Sequence, residues 1–204
     1  MLFDDTYTTI KQATEGLFKD RGSKFLAFAY PIHDEQEVKK YLDALRGLHP
    51  KANHHCYAYR LGIDRNQFRV NDDGEPSGSA GRPILNVLLS KDVTNILIVV
   101  VRYFGGTLLG VPGLINAYKA ATIEALLNAE LTQKTVNDLY EVNFDFETMN
   151  EVMKVIKEFG LKISNQLYDN RCTLTIEVRK SVLNQVLTKM EKIDSISTQY
   201  LLTL

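Results

Sequence analysis

The stretch "NILIVVVRYF", residues 95–104, limits the fold more than any other part of this chain. Its apolar, largely β-branched residues follow one another without alternation, so a strand built from them buries both faces. This predicts a sheet with that strand at its centre and further layers on either side. The run falls well short of the roughly 20 apolar residues that cross a bilayer, so no membrane segment is expected from it.

The flanking sequence supplies the rest of a first domain. "YTTIKQATEGLF" and "SKFLAFAYPI", rich in β-branched and aromatic residues and separated by the turn-forming "KDRGS", read as a hairpin. Asp34 followed by Glu37 has the form of a capping box, and Val38, Tyr41, Leu42 and Leu45 recur at helical spacing, which predicts a helix to about Gly47. "HHCYAYRL" and "QFRVN" read as strands joined around "GIDRN". A short apolar helix with Pro83 in its first turn precedes the central strand, and a helix from Leu114 to about Leu131 follows a second glycine loop, "GGTLLGVPG".

From about Lys134 the pattern changes to strand, helix, strand, strand, helix, strand. "CTLTIEVR" alternates cleanly, with Cys172, Leu174, Ile176 and Val178 on one face and Thr173, Thr175, Glu177 and Arg179 on the other. Val152, Met153, Ile156 and Phe159 share one helical face, which Gly160 stops. The βαββαβ order is that of a ferredoxin-like domain with helices on one sheet face. The fold class is therefore α+β, divided into residues 1–134 and 135–204.

The 204 residues, 45% of them hydrophobic, suffice for such cores. Lys and Arg number 24 against 25 Asp and Glu, so no global field draws the chain to nucleic acid or an anionic membrane, and a nucleic-acid site must be a local patch. Cys56 and Cys172 lie far apart, and "MLFDDTYTTIK" opens with acids rather than a basic leader segment, which reads as a reducing cytoplasm.

"VNDDGEPSGSAGRPI", residues 70–84, gathers acids, serines and glycines in one loop that runs into a helix. It matches neither the phosphate loop G-x-x-x-x-G-K-[ST] nor the dinucleotide pattern G-x-G-x-x-G, and its acids fail the calcium-loop spacing. Ser77, Ser79 and the N–H groups leading to Arg82 lie where a helix N-terminus favours an anion, whereas Asp72, Asp73 and Glu75 oppose one. "HPKANHHC" has the look of a zinc fragment, but on a strand His54 and Cys56 face one way and His55 the other, and no second ligand pair follows. In "RYFGG", Arg102, Tyr103 and Phe104 emerge from the buried strand beside glycines, a place where bases stack; Lys24 and Lys119 are candidates to add charge there.

Taken in order, "SKF" at 23–25, "HHCYAY" at 54–59, "DDGEPSGSAGRPIL" at 72–85, "VVVRYFGGTLLG" at 99–110 and "NAY" at 116–118 resemble the YigZ/IMPACT family. The resemblance implies a first domain with the fold of the second domain of a small-subunit ribosomal protein and of domain IV of elongation factor G, followed by a ferredoxin-like domain. It brings no established enzymatic activity. It implies translational regulation in eukaryotic members, which act through an additional N-terminal module that this chain does not show, and nucleic-acid binding by fold analogy in bacterial ones. Where the family commonly reads G-G-L-V-R-A-Y, this chain has Pro112-Gly113-Leu114-Ile115-Asn116-Ala117-Tyr118, so an arginine is replaced by Asn116.

The leading expectation is a non-catalytic cytoplasmic binding or regulatory protein linked to translation, whose first domain meets RNA or a ribosomal surface. Its candidate residues are the loop side chains Asp72, Asp73, Glu75, Ser77, Ser79 and Arg82, together with Lys24, Arg102, Tyr103, Phe104 and Lys119. No catalytic residue, metal or cofactor is assigned. One alternative is an enzyme acting on a small phosphorylated or peptide-like substrate at the 72–82 loop. Another is a protein-interaction module using the open face of the C-terminal sheet.

Overall fold

The computed structural model describes residues 5–62 and 66–204. The first residues of "MLFDDTYTTIK" and most of the "GIDRN" turn lie outside them. The chain divides into two compact units: Tyr7–Lys134, and Thr135–Leu204 with the described residues Asp5 and Thr6. Both are mixed α/β structures built on antiparallel sheets.

In the first unit, strands β2 (Thr14–Asp20), β3 (Ser23–Pro31), β4 (His54–Leu61), β5 (Gln67–Asn71) and β6 (Ile96–Tyr103) form a sheet in the order β2-β3-β6-β4-β5. The apolar run is thus the central strand. Ile96, Ile98 and Val100 pack on helices α2 (Gly81–Ser90) and α3 (Gly110–Leu127), while Leu97, Val99 and Val101 pack on the core beneath helix α1 (Glu35–Leu48). Burial on both faces is common in parallel sheets; here an antiparallel sheet achieves it because helices cover both sides.

Three boundaries differ from expectation. Residues Thr6–Ile10 do not join the hairpin but form β1, which pairs with β7 (Leu131–Thr135) in a separate two-stranded sheet. Helix α3 begins at Gly110 rather than Leu114, because Pro112 sits in the first turn, where no intrahelical N–H is required of it. The same helix ends at Leu127, releasing Leu131 to β7. At α1, Asp34 caps Gln36 N and Glu37 N at 2.8 and 3.0 Å, and Glu37 reaches back to His33 N at 2.6 Å, one residue beyond the usual box partner.

The second unit runs β8 (Asn137–Phe144), α4 (Met149–Phe159), β9 (Lys162–Tyr168), β10 (Cys172–Arg179), α5 (Leu183–Met190) and β11 (Ser197–Thr203), with the sheet order β11-β8-β10-β9. Cys172, Leu174, Ile176 and Val178 are buried against Val152, Ile156, Val186 and Met190 of the two helices, as their alternation dictates. Gly160 ends α4 in the left-handed conformation, φ 61°, that an L side chain resists. Among the described residues, no helix is long and apolar enough to cross a membrane.

Candidate functional site

The loop between β5 and α2 is held by its own first acid. Asp72 Oδ1 accepts from Ala80 N and Gly81 N at 3.0 and 2.8 Å, and Oδ2 accepts from Gly78 N at 2.8 Å. The orphan donors at the start of α2 are therefore answered by a carboxylate from within the chain. Asp72 occupies the place that an anion would take at this helix N-terminus. Asp73 turns the other way, accepting from His55 N at 2.6 Å with Arg46 3.7 Å away. Ser79 donates to the Pro76 carbonyl at 2.6 Å, and Ser77 is exposed.

Glu75 is the loop's inward acid, its side chain 3% exposed. Its Oε1 accepts from Arg102 Nη1 at 2.5 Å and from the Tyr118 hydroxyl at 2.8 Å, and His54 Nε2 lies 3.9 Å from the same atom. The β-ladder explains this assembly. His54 and Phe25 are the residues opposite Arg102 on the two neighbouring strands, so all three project from one sheet face, toward α3. The guanidinium carbon lies 5.4 Å from the Phe25 ring centre and 5.7 Å from that of Phe104. Arg102 is thus a buried residue paired with a loop acid, not a surface cation.

Behind the pair, Cys56 Sγ donates to the Asp72 carbonyl at 3.0 Å and lies 3.3 Å from the Tyr118 hydroxyl. Burial pushes the Cys56 thiol far up, against a smaller opposing effect of Tyr118, and burial raises the Tyr118 phenol likewise. The thiol stays protonated at neutral pH, which makes it a poor nucleophile. Among the described residues, no group of three or more His, Cys, Asp or Glu is placed to hold a metal ion.

The two glycine loops meet in space. Pro76 and Glu75 from one, and Phe104, Leu108, Leu109 and Gly110 from the other, border a single cleft of about 420 Å³ on the α3 side of the sheet. Tyr103, one residue on, points to the opposite face, where its hydroxyl meets His49 Nδ1 at 2.9 Å. There it joins Leu17, Lys19, Lys24 and Leu26 around a more open cleft of about 510 Å³. Phe104, 44% exposed, borders both clefts. Its N–H donates to Asn53 Oδ1 at 2.9 Å, and Gly105 N donates to Ser23 Oγ at 3.1 Å. A Cβ at Gly105 would overlap the backbone of Gly22 and Ser23, so glycine is what lets this loop close onto the β2–β3 turn.

Of the expected residues, Lys24, Tyr103 and Phe104 share one cleft, and Glu75, Arg102 and Phe104 share the other. Arg82 and Lys119 instead line a groove of about 350 Å³ between α2 and α3, which also holds Lys91. Asn116 is exposed on α3. On the C-terminal sheet, Thr173 donates to Asn143 Oδ1 at 2.5 Å, Glu177 pairs with Lys162 at 2.7 Å and Arg179 with Asp5 at 2.8 Å, so that face is already cross-linked.

Sequence reasoning missed Tyr118 and His54 as partners of Glu75, and Lys19 as a member of the basic face. Lys19 lies directly opposite Lys24 in the β2–β3 ladder, and neither has an ion-pair partner among the described residues. The turn "KDRGSK" contained that signal, because a two-residue connection at Arg21 and Gly22 sets the register. The His54–Arg102 pairing had no comparable local signal.

The model of the Impact N-terminal domain family matches residues 21–126. IMPACT family member YigZ of Escherichia coli (strain K12) is 34% identical over 148 residues, which are 72% of this chain and 72% of that protein. IMPACT family member YvyE of Bacillus subtilis (strain 168) is 32% identical over 153 residues, 75% of this chain and 70% of the relative. A crystal structure of an hypothetical protein superimposes with a TM-score of 0.72 at 26% identity, covering 97% of this chain and 98% of the other. A domain match over half the chain, with relatives aligned along most of it, means that this chain belongs to the IMPACT family.

Proposed function

We propose that this protein is a non-catalytic, translation-linked binding protein whose N-terminal domain, residues 1–134, holds RNA on the cleft lined by Lys19, Lys24, Tyr103 and Phe104. The observation that carries this reading is the Lys19–Lys24 pair. Like charges directly opposite in an antiparallel ladder destabilise the sheet, and neither lysine forms an ion pair with an acid among the described residues. Two free cations beside a half-exposed aromatic ring and a tyrosine are what a phosphate backbone with unstacked bases requires. Family membership supports the link to translation, since the resemblance to eukaryotic members carries a regulatory role of that kind. The acids of the 72–82 loop are engaged by backbone N–H groups, Arg46, Arg102 and Tyr118, which favours binding over catalysis.

On this reading the first domain takes the fold shared by a ribosomal-protein second domain and elongation factor G domain IV, and residues 135–204 are a ferredoxin-like domain, supported by the sheet order β11-β8-β10-β9. The site of action is the cytoplasm, where ribosomes are. Ribosome co-sedimentation across a salt series tests the function, comparing the natural chain with Lys19→Ala/Lys24→Ala and with Phe104→Ala. We expect binding that weakens steeply with salt, a slope reduced by about two in the double lysine variant, and an affinity loss without a slope change for Phe104→Ala. Absent or salt-insensitive binding overturns the reading.

A further inference from the structure

The cleft on the α3 side of the sheet has a floor whose hydrogen bonding the chain leaves incomplete. His54 Nδ1 is 2.7 Å from the Asp73 carbonyl, which only accepts, so Nδ1 carries the proton and Nε2 of the neutral ring presents a lone pair. No hydrogen bond reaches that Nε2; Glu75 Oε1, 3.9 Å away, is also an acceptor. Both hydrogen bonds to Glu75 fall on Oε1, leaving Oε2 without a partner although the side chain is 3% exposed. Arg102, itself 5% exposed, has an enclosed Nε with no partner. Two acceptors on residues lining the cleft thus lack a protein hydrogen-bond partner, while the Arg102 Nε behind them is enclosed.

Above this floor the walls are apolar: Phe104, Leu108, Val111 and Leu114, with Leu108 81% exposed at the rim. An anion does not suit a floor whose Glu75 carboxylate already takes up the Arg102 guanidinium, so a phosphate belongs with Lys19 and Lys24 on the other side of Phe104. A purely aliphatic side chain would leave both acceptors unanswered. A flat heterocycle whose edge carries N–H donors answers them, and its faces meet apolar walls and an aromatic ring. The volume, about 420 Å³, lies within the range of small-molecule sites.

We propose that this cleft receives a single unstacked nucleobase, edge inward, from the same RNA strand whose phosphates meet the lysine pair; the inference rests on the RNA reading above. Phe104 borders both clefts, so a strand crossing it places phosphates on one side and one base on the other. His54 and Glu75 are the base-reading residues, and Arg102 positions Glu75.

The test is fluorescence anisotropy with short single-stranded RNAs in which one abasic site is moved stepwise along the strand. The protein is the natural chain and Leu108→Ala/His54→Asn, with far-ultraviolet circular dichroism and a thermal melt to confirm that the variant is folded. One position should matter most: an abasic site there should weaken the natural chain about tenfold, the scale of one lost stacked base. The variant should bind the intact RNA about tenfold more weakly and lose less than about twofold to the same abasic site, with an unchanged salt slope. If every abasic position is equivalent, or the variant and the abasic site weaken binding independently, the base cleft is wrong while the RNA reading stands. If no RNA binds, both fall. A variant that melts early is replaced by Leu108→Ala alone, with the same two outcomes.

Discussion

Replacing Arg102 by methionine should destabilise the N-terminal unit by about 3–5 kcal/mol, the cost of leaving one buried charge without its partner. Methionine keeps most of the aliphatic stem that packs between Phe25 and Phe104, so the lost group is the guanidinium itself. Glu75 is 3% exposed and the Arg102 side chain 7% exposed, so water replaces the 2.5 Å ion pair poorly, and only the Tyr118 hydroxyl remains on Oε1. Glu75→Gln should cost less, about 1–2 kcal/mol, because an amide oxygen still accepts from both donors. The double variant Glu75→Gln/Arg102→Met removes both charges, and its cost should fall at least about 2 kcal/mol below the sum of the singles. Urea unfolding followed by far-ultraviolet circular dichroism suits a chain without tryptophan. Because two units unfold, amide exchange in β6 should assign the shift to the first of them. A cost for Arg102→Met below about 1 kcal/mol, or additive singles, would refute the description of this pair as a buried structural charge. Total stabilities run to only about 5–15 kcal/mol, so an effect of the expected size is easily resolved.

Three further outcomes follow from the same geometry. Asp72→Ala should cost about 1–2 kcal/mol, the value of a helix cap, with Asp72→Asn retaining much of it; equal losses in both would point to a role for the charge rather than the cap. Asp5 is held down to about 2, first by its side-chain hydrogen bonds from Arg179, so it stabilises the C-terminal unit above about pH 4, and that contribution is lost as pH falls toward 2. It amounts to about 2 kcal/mol, and Asp5→Asn should flatten the acid limb of that unit's unfolding midpoint. Cys56 should resist iodoacetamide in the folded protein at neutral pH and react on unfolding; rapid labelling of the native chain would mean that the thiol is less enclosed than described.

Alternation and apolar runs, which depend only on which faces a residue must hide, were enough to read the central strand β6 and the inward face of β10 directly from the sequence. The capping acid Asp34 was readable for the same local reason. The limits of β1 and α3 were not, since β1 pairs with a strand more than a hundred residues later and Pro112 suits a first helical turn as well as a loop. The loop acids illustrate the division most clearly. Composition placed Asp72, Asp73 and Glu75 side by side, and nothing local distinguished them. Tertiary structure sent Asp72 to the start of α2, Asp73 to His55 and Arg46, and Glu75 into the sheet beneath Arg102. The cause is cross-strand register: the pairing of His54 and Phe25 with Arg102 decides which side chains face one another, and register is a property of strands brought together from three distant segments. Sequence by itself determined what had to be buried; only the assembled sheet decided which charge was buried with it, and which lysines were left free on the other side.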